Sequence, residues 1–306
     1  DFTKVDLKNL YLDKPPDESH NTLSGIVINL LILLADKSHN NHQLIEHILE
    51  KLYQVLIESI INFLPQNTDE QLIFVPQDFL FLIPFAALKD SQGKYFIEKY
   101  NFITVPTIHL LQTANTKQYK PDLLSMLIVA KDEINEEYNL FETAKITGEE
   151  ATKSGVLKYL NDSKILHFST DCYLYDKENL KYAIALTPDC TNNGLLSARD
   201  ILTTSQYHVR EIVTDLVVLS NCNPGYDYIW GNGMMEIILA WLSIGVNNVV
   251  SSLWLVPPPV KIFLFTHFYQ FLSQNFDVSS AFRQAILITM KTYPHPQYWA
   301  SFSLIQ

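Results

Sequence analysis

The sequence predicts an α/β fold in which helices cover both faces of a mostly parallel β-sheet. Short apolar runs typical of strands alternate along the chain with longer stretches of helical periodicity, which is the pattern of parallel α/β sheets. The runs 212–220 and 246–253 are almost continuously apolar, as strands buried on both faces should be. Neither a repeat of fixed period nor a low-complexity segment is found in the sequence.

The elements follow one another in a simple order. Residues 1–41 form a lead-in segment that we expect to be partly irregular, because 1–22 are polar and contain Pro15-Pro16. Apolar residues spaced by three and four predict an amphipathic helix over 42–64, which ends at Pro65. Strands are predicted at 72–75, 96–105, 124–130, 164–169, 183–186, 215–219 and 248–252, and helices at 234–243, 260–273 and 279–290. Residues 42–306 therefore make up one predicted domain.

The composition is that of an acidic globular chain. Of its 306 residues, 47% are hydrophobic and 18% are charged, which is enough apolar content for a large core. The formal net charge of −11 argues against nucleic acid as a partner, because phosphates would be repelled. The longest apolar run, Leu23–Ala35, is shorter than the roughly 20 residues that cross a bilayer, and no signal-peptide pattern opens the sequence. We therefore expect no membrane association.

The three cysteines are Cys172, Cys190 and Cys222. An odd and sparse set of this kind predicts no disulfide framework, and hence a reducing, cytoplasmic compartment. Their spacing is not that of zinc ligands. The turn Gly231-Asn232-Gly233 lacks the lysine that a phosphate-binding loop requires. We expect neither a metal nor another cofactor.

Two polar segments follow predicted strands and are the candidates for chemistry. Thr170-Asp171-Cys172 follows the strand 164–169, and Asn221–Gly225 follows the strand 215–219. Reactive groups gather at the carboxyl ends of the strands in open parallel sheets. If the two strands are neighbours, the two segments lie about 5 Å apart.

The same segments carry a resemblance to a known family. Leu216–Gly225, LVVLSNCNPG, resembles the nucleophile segment LVVLSACETG of the CHAT family, caspase-like domains often found with TPR repeats. Ile165–Cys172, ILHFSTDC, resembles ILHFATHG, which carries the catalytic histidine of that family. Four further segments resemble family motifs in the same order: Phe74–Leu88, Leu195–Asp200, Ala240–Val256 and His295–Ile305. The resemblance covers roughly residues 43–306 and implies a caspase-like three-layer sandwich.

The resemblance also implies a cysteine endopeptidase site. Its nucleophile would be Cys222, and the backbone N–H groups of Cys222 and Cys172 would hold the oxyanion. Asp171 stands at the position of the histidine. Asn223, Pro257 and Pro258 fall on segments that would line the substrate cleft.

These positions depart from the family pattern in ways that weaken catalysis. A histidine can assist a thiolate and relay protons, whereas an ordinary carboxylate with a pKa of about 4 is a poor base toward a thiol. Cys172 replaces a glycine, Asn223 replaces an acidic residue, and Pro257–Pro259 replaces a segment that is usually acidic. We expect the three prolines to remove backbone donors and to stiffen a loop of the cleft.

Two functions stay open on this evidence. The favoured one is a pseudo-peptidase that acts by binding or regulation, with a protein or peptide partner such as upstream TPR-type repeats or an active relative. The alternative is an active or conditionally active cysteine endopeptidase that uses Cys222. Simpler interpretations also stand: Cys222 as an inert buried thiol, Asp171 as a cap or turn residue, and His167 as a core histidine with its hydrogen bonds satisfied.

Overall fold

One central β-sheet organises the part of the chain that the computed structural model describes. The described residues are 22–36, 41–66, 70–109, 125–130, 142–176, 181–207, 212–222 and 232–306. The strand order of the sheet is β1-β2-β10-β9-β8-β5-β3-β4, and neighbours run parallel except for β10 and β9, which are antiparallel. The predicted α/β fold with a mostly parallel sheet is confirmed. The strands are β1 Gln71–Phe74, β2 Asn101–Thr104, β3 Ser125–Ala130, β4 Glu142–Thr147, β5 Ile165–Asp176, β6 Lys181–Ala185, β7 Leu195–Ser197, β8 Leu216–Asn221, β9 Asn248–Ser252 and β10 Phe302–Ile305.

Helices cover the two faces of the sheet. In the described ranges they are α1 Leu23–Ala35, α2 His42–Leu56, α3 Phe96–Lys99, α4 Lys153–Lys158, α5 Ala198–Tyr207, α6 Asn232–Ser243, α7 Pro258–Ser273 and α8 Val278–Thr292, with short 3-10 turns between some of them. Helices α1, α2, α7 and α8 pack in the hydrophobic cluster on one face, here called the α7 face. Helices α4, α5 and α6 pack in the cluster on the other, the α6 face.

The central strands are buried on both faces, as their apolar runs predict. In β3, Met126 and Ile128 belong to the cluster of the α7 face, whereas Leu127 and Val129 belong to that of the α6 face. All four side chains are fully buried. This alternation is the ordinary consequence of a strand with helices on both sides.

Strand β5 is longer than predicted and belongs to two ladders. Its first part pairs in parallel with β3 and β8, and its last part, from Cys172 onward, pairs antiparallel with β6. Strand β6 in turn pairs with β7. The prediction that the strand ends at Ser169 was wrong, because β6 supplies a new partner where the pairing with β8 runs out.

A bulge in β5 lies at the transition between the two ladders. Phe168 is opposite Leu219 and Asp171 is opposite Asn221, so two residues of β5 face one residue of β8 between these pairs. Bulges of this kind bend a strand and re-aim its side chains. The candidate site begins directly after it.

The predicted strand 96–105 is divided into helix α3 and strand β2. The Glu98 carboxylate accepts a hydrogen bond of 2.8 Å from the main-chain N–H of Tyr95, which closes the first turn of α3. The Arg283 guanidinium of α8 donates to the carbonyl oxygens of Ile97 and Glu98. The local bond of Glu98 and the long-range bonds of Arg283 together offset the strand propensity of the apolar residues.

The apolar run in the lead-in segment forms α1. Thr22 caps this helix with its hydroxyl, which accepts from the main-chain N–H of Gly25 at 3.1 Å. Val27, Leu30 and Leu34 are buried in the cluster of the α7 face. None of the helices in the described ranges combines the length and the apolarity that a membrane crossing requires.

Candidate functional site

The two polar segments singled out in the sequence meet at the ends of adjacent strands. Strands β5 and β8 are parallel neighbours, and Asp171 is paired in register with Asn221. Cys172 and Cys222 each follow by one residue. The structure thus brings Cys172 next to Cys222, which lies 50 positions further along the sequence.

Cys172 and Cys222 form a disulfide in this structure. Their Cα atoms are 4.7 Å apart, within the range that a disulfide can bridge. The side chains are 8% and 0% exposed and belong to the cluster of the α6 face. The odd, sparse set of cysteines predicts no disulfide framework. Two of the three cysteines are nevertheless joined, because strand pairing places them side by side, while Cys190 is exposed and free.

The main chain around Cys222 is anchored by the neighbouring strands. Its carbonyl oxygen accepts a hydrogen bond of 3.1 Å from the hydroxyl of Ser252 at the end of β9. Its Sγ lies 3.8 Å from the carbonyl oxygen of Thr170 in β5. Cys222 is therefore held between β5 and β9 as a buried residue.

Asp171 lies on the opposite side of β5 from this sulfur pair. Successive side chains of a strand point to opposite faces, and Asp171 is exposed where Cys172 is buried. Within the described ranges, its carboxylate makes neither an ion pair nor a side-chain hydrogen bond. The carboxylate therefore makes no hydrogen bond to Cys222.

The other predicted site residues fall into two groups. Cys172 lies in the β5–β6 ladder, opposite Ile184, and Asn223 lies outside the described residues. Pro257 is the N-cap of α7, and Pro258 is its first residue; both are exposed. Proline is well suited to the first turn, where a main-chain N–H has no partner within the helix. The expectation that these prolines stiffen a loop was therefore wrong, since they begin a helix.

A buried lysine joins the two strand ends and was missed by the sequence analysis. The Lys261 ammonium group of α7 donates to the Asn221 side-chain oxygen at 2.7 Å and to the Ser169 hydroxyl at 3.1 Å. The residue is 3% exposed. A signal was available, because Lys261 is the one lysine or arginine in the apolar run 258–273. Lys261 places its ammonium group on the α7 side of the two strand ends.

His167 forms a second buried polar contact on the same face. Its Nδ1 is 2.7 Å from the Tyr269 hydroxyl, and its Nε2 is 2.9 Å from the Ser220 hydroxyl. Ser220 donates its own hydrogen to the carbonyl oxygen of Phe168, so it accepts from Nε2–H, and Nδ1 accepts from Tyr269. The imidazole is fully buried, which confirms the interpretation of His167 as a core histidine.

No group of three or more His, Cys, Asp and Glu side chains within the described ranges is arranged to hold a metal ion. The polar groups at and below the two strand ends are the sulfur pair, Asp171, Lys261 and His167.

The relatives of the chain include long repeat proteins. The chain is 25% identical, over an alignment of 324 residues, to tetratricopeptide repeat protein 28 of Homo sapiens, and 24% identical to that of Mus musculus. Each alignment covers 84% of this chain and 13% of the relative, so the chain spans about an eighth of their length.

Two solved structures share the fold. One is separase from Saccharomyces cerevisiae, in the separase–securin complex, with a TM-score of 0.51, 13% identity, and coverage of 85% of this chain and 17% of that one. The other is the Arg-specific cysteine proteinase gingipain R, with a TM-score of 0.50, 8% identity, and coverage of 92% and 73%. At these identities the likeness concerns the fold alone.

The family model of the CHAT domain matches residues 46–306, which is most of the chain. This match agrees with the mostly parallel sheet, with helices on both of its faces, and with the fold shared with the two solved structures. The chain belongs to the CHAT domain family.

Proposed function

We propose that this CHAT domain is a pseudo-peptidase that acts by binding a protein or peptide partner. The observation that carries the proposal is the state of Cys222, which is buried and bonded to Cys172. A cysteine peptidase attacks the scissile carbonyl with a thiolate, and a sulfur held in a disulfide cannot do so. The exposed Asp171 lies where the resemblance places a proton-relaying histidine.

The relatives support a role among protein partners. Those at 24–25% identity are named for tetratricopeptide repeats, and one solved structure of the same fold is a separase–securin complex. By analogy, the partner of this domain would be an upstream repeat segment, a separate peptide or an active relative. Its role would be that of a scaffold, a regulator or a decoy.

A conditionally active peptidase is the second candidate. The specific observation in its favour is that the disulfide with Cys172 is a reversible modification of Cys222. Reduction would return a thiol at the nucleophile position of the family motif. The site would still need a base, and His167 is occupied by Tyr269 and Ser220.

A cleavage assay on a broad peptide library separates the two candidates. The unaltered chain is assayed oxidised and after reduction by dithiothreitol, beside a Cys222→Ala variant as the matched control and an Asp171→His variant. We expect the unaltered chain to cleave no faster than Cys222→Ala in either state. Cleavage by the reduced chain that Cys222→Ala lacks would establish the peptidase and overturn the proposal.

A further inference from the structure

Strand β1 forms an open outer edge of the sheet in the part of the chain that the structure describes. It pairs in parallel with β2, and its other side has no partner among the described strands. The carbonyl oxygen of Phe74 accepts a hydrogen bond of 2.8 Å from the main-chain N–H of Val105, so the main chain of Phe74 points toward β2. Because this direction alternates along a strand, the N–H and C=O groups of Gln71 and Ile73 point outward.

The inner side of β1 is firmly held. The side chains of Leu72 and Phe74 pack against the hydrophobic cluster of the α7 face, and the ring of Phe74 stacks on that of Phe85 at 4.7 Å. The Gln71 amide donates a hydrogen bond of 2.6 Å to the hydroxyl of Ser279 in α8. A strand that is already fixed in its extended form loses little further freedom when another strand pairs with it.

The two other strands that end a ladder in the described ranges are protected against such pairing. Strand β4 carries the exposed Lys145, and a charged side chain on an edge strand discourages further pairing. In β7, main-chain N–H groups are already used: Leu195 donates to the Asn193 side chain at 3.1 Å. Ser197 likewise donates to the Asp200 carboxylate at 2.8 Å. Strand β1, with the sequence QLIF, carries no charged side chain.

The side chains around β1 define the chemistry of a partner strand. Ile73 and Val75 are 46% and 39% exposed, which offers an apolar surface beside the outward main chain. Glu70 precedes the strand and Asp78 follows it, whereas the segment 52–88 contains neither Lys nor Arg. An apolar strand with basic residues at its ends complements this edge. A second copy of the chain would instead bring the same acidic groups together.

We propose that β1 binds an extended segment of another protein as an additional strand, with alternating apolar side chains and basic residues at its ends. The row of outward main-chain donors and acceptors selects an extended peptide, because another strand matches its spacing. The proposal rests on the binding function argued above, and it gives that function a surface and a chemical class of partner.

Fluorescence anisotropy of a labelled peptide, titrated with the full chain, tests the proposal. The probe has the sequence Lys-Thr-Val-Thr-Val-Thr-Lys, and a comparison peptide has Glu in place of both Lys residues. We expect saturable binding of the basic probe, and binding at least about fivefold weaker for the acidic peptide at low salt. Equal affinity of the two peptides would contradict the charge complementarity on which the proposal depends.

Main-chain recognition is tested on the probe itself, which leaves the protein unchanged. One version is methylated at the valine nitrogens and another at the threonine nitrogens, because only one of these two sets points toward β1 in a given strand direction. Methylation of one set should weaken binding at least about tenfold, and that of the other less than about threefold. Equal effects of the two sets would show that the peptide does not bind as a strand.

A pair of substitutions at Ile73 tests the surface. Ile73→Pro removes the outward N–H but leaves the groups that pair with β2, so it should weaken binding at least about tenfold. Ile73→Val keeps the N–H and should bind within about threefold of the unaltered chain. Circular dichroism checks that both variants fold. No saturable binding by the unaltered chain, or equal binding by the two variants, would overturn the proposal.

Two further outcomes separate this proposal from its alternatives. Self-association of the unaltered chain that Ile73→Pro abolishes, without binding of the probe, would assign the edge to a second copy and refute the proposal. Cleavage plays no part in the titration, and Cys222→Ala should bind the probe as well as the unaltered chain. An active Cys222 would therefore refute the pseudo-peptidase alone.

Discussion

Cys172 determines the chemical state of Cys222. Where the family motif carries a glycine, this chain carries a second sulfur, one residue beyond the position of the family's histidine. The β5–β8 pairing brings the two Cα atoms to 4.7 Å. Asp171 sits between the bulge and Cys172 and points away from the sulfurs. A single strand end thus carries both Asp171 and Cys172, the two residues of β5 on which the proposed pseudo-peptidase depends.

The first prediction concerns how many cysteines react in the native chain. Protein purified without reductant and treated with iodoacetamide should gain one label, on the exposed Cys190, because Cys172 and Cys222 are bonded to each other. Intact mass spectrometry counts the labels. The Cys190→Ser variant should gain none, and both proteins should gain two more labels after reduction in denaturant. Labelling of Cys222 in the native, unreduced chain would contradict the disulfide.

The residues of the site could be located from the sequence, but the contacts between them could not be predicted. Cys222 and Asp171 stand out because each follows an apolar strand within a family-like motif. The sulfur pair depends on the continuation of β5 beyond Ser169 and on a bulge of one residue, which no spacing of cysteines encodes. Lys261 escaped notice because its partners, Ser169 and Asn221, are remote in sequence.

At the scale of elements, α1 extends the core beyond the segment that matches the family. The family model begins at residue 46, whereas α1 spans Leu23–Ala35. Leu30 of this helix is fully buried and Ile32 is 39% exposed, so one side of α1 faces the core and another faces solvent. The helix packs mainly against α2, and the domain therefore uses it as an additional layer of the α7 face.

The packing of α1 can be tested by comparing two alanine substitutions. Leu30→Ala should lower the free energy of unfolding by about 2–5 kcal/mol, because it leaves a cavity in the hydrophobic cluster. Ile32→Ala on the same helix should cost less than about 1 kcal/mol. Urea denaturation followed by circular dichroism measures both. Equal and small effects would show that α1 does not belong to the cooperative core.

Asp200 ties three elements together through its carboxylate. It accepts hydrogen bonds from the main-chain N–H and the hydroxyl of Ser197, at 2.8 and 2.6 Å, and it pairs with Lys153 of α4 at 3.1 Å. Burial would raise the pKa of Asp200, but these bonds together hold the pKa below its ordinary value of 3.8. The contact therefore stabilises the fold above pH 3.8 and is lost as the pH falls through the lowered folded pKa.

The third prediction follows from the lowered pKa of Asp200. Asp200→Asn should lower the free energy of unfolding by about 1 kcal/mol near pH 7. The value is modest because the carboxylate is partly exposed. The cost should shrink as the pH falls below about 4, since the unaltered carboxylate then protonates as well. Unfolding of the variant and of an Asp162→Asn control, measured by urea at a series of pH values, checks this. If the loss of unfolding free energy in Asp200→Asn did not change with pH, the contact would not depend on the ionised carboxylate.

Most elements, though not their bounds, could be predicted from apolar periodicity. The strand 248–252 matches β9, and the helix predicted at 279–290 lies within α8. The failures share one cause, which is that tertiary partners override local propensity. Arg283 of α8 holds the carbonyl groups of α3 within segment 96–105, and β6 lengthens β5. Neither partner is visible in a local window of sequence.

At the scale of the whole molecule, the disulfide closes a loop of 50 residues that includes β6, β7 and α5. Reduction should lower the free energy of unfolding by about 2–4 kcal/mol, because the unfolded chain regains the freedom that the cross-link removes. Urea midpoints with and without dithiothreitol measure the change. The change should disappear in Cys172→Ser and persist in Cys190→Ser. An equal response in all three proteins would contradict a stabilising cross-link.

Strand β10 has a consequence for the order in which the molecule assembles during translation. It lies between β2 and β9, although about 200 residues of chain separate it from β2. The β1–β2 pair is made early by the ribosome but joins the rest of the sheet only after β10 has been synthesised. Until then, the edges of β2 and β9 are unpaired and can capture strands of other chains. We therefore expect nascent chains that stop before residue 302 to need chaperone protection, which a series of ribosome-stalled lengths would reveal.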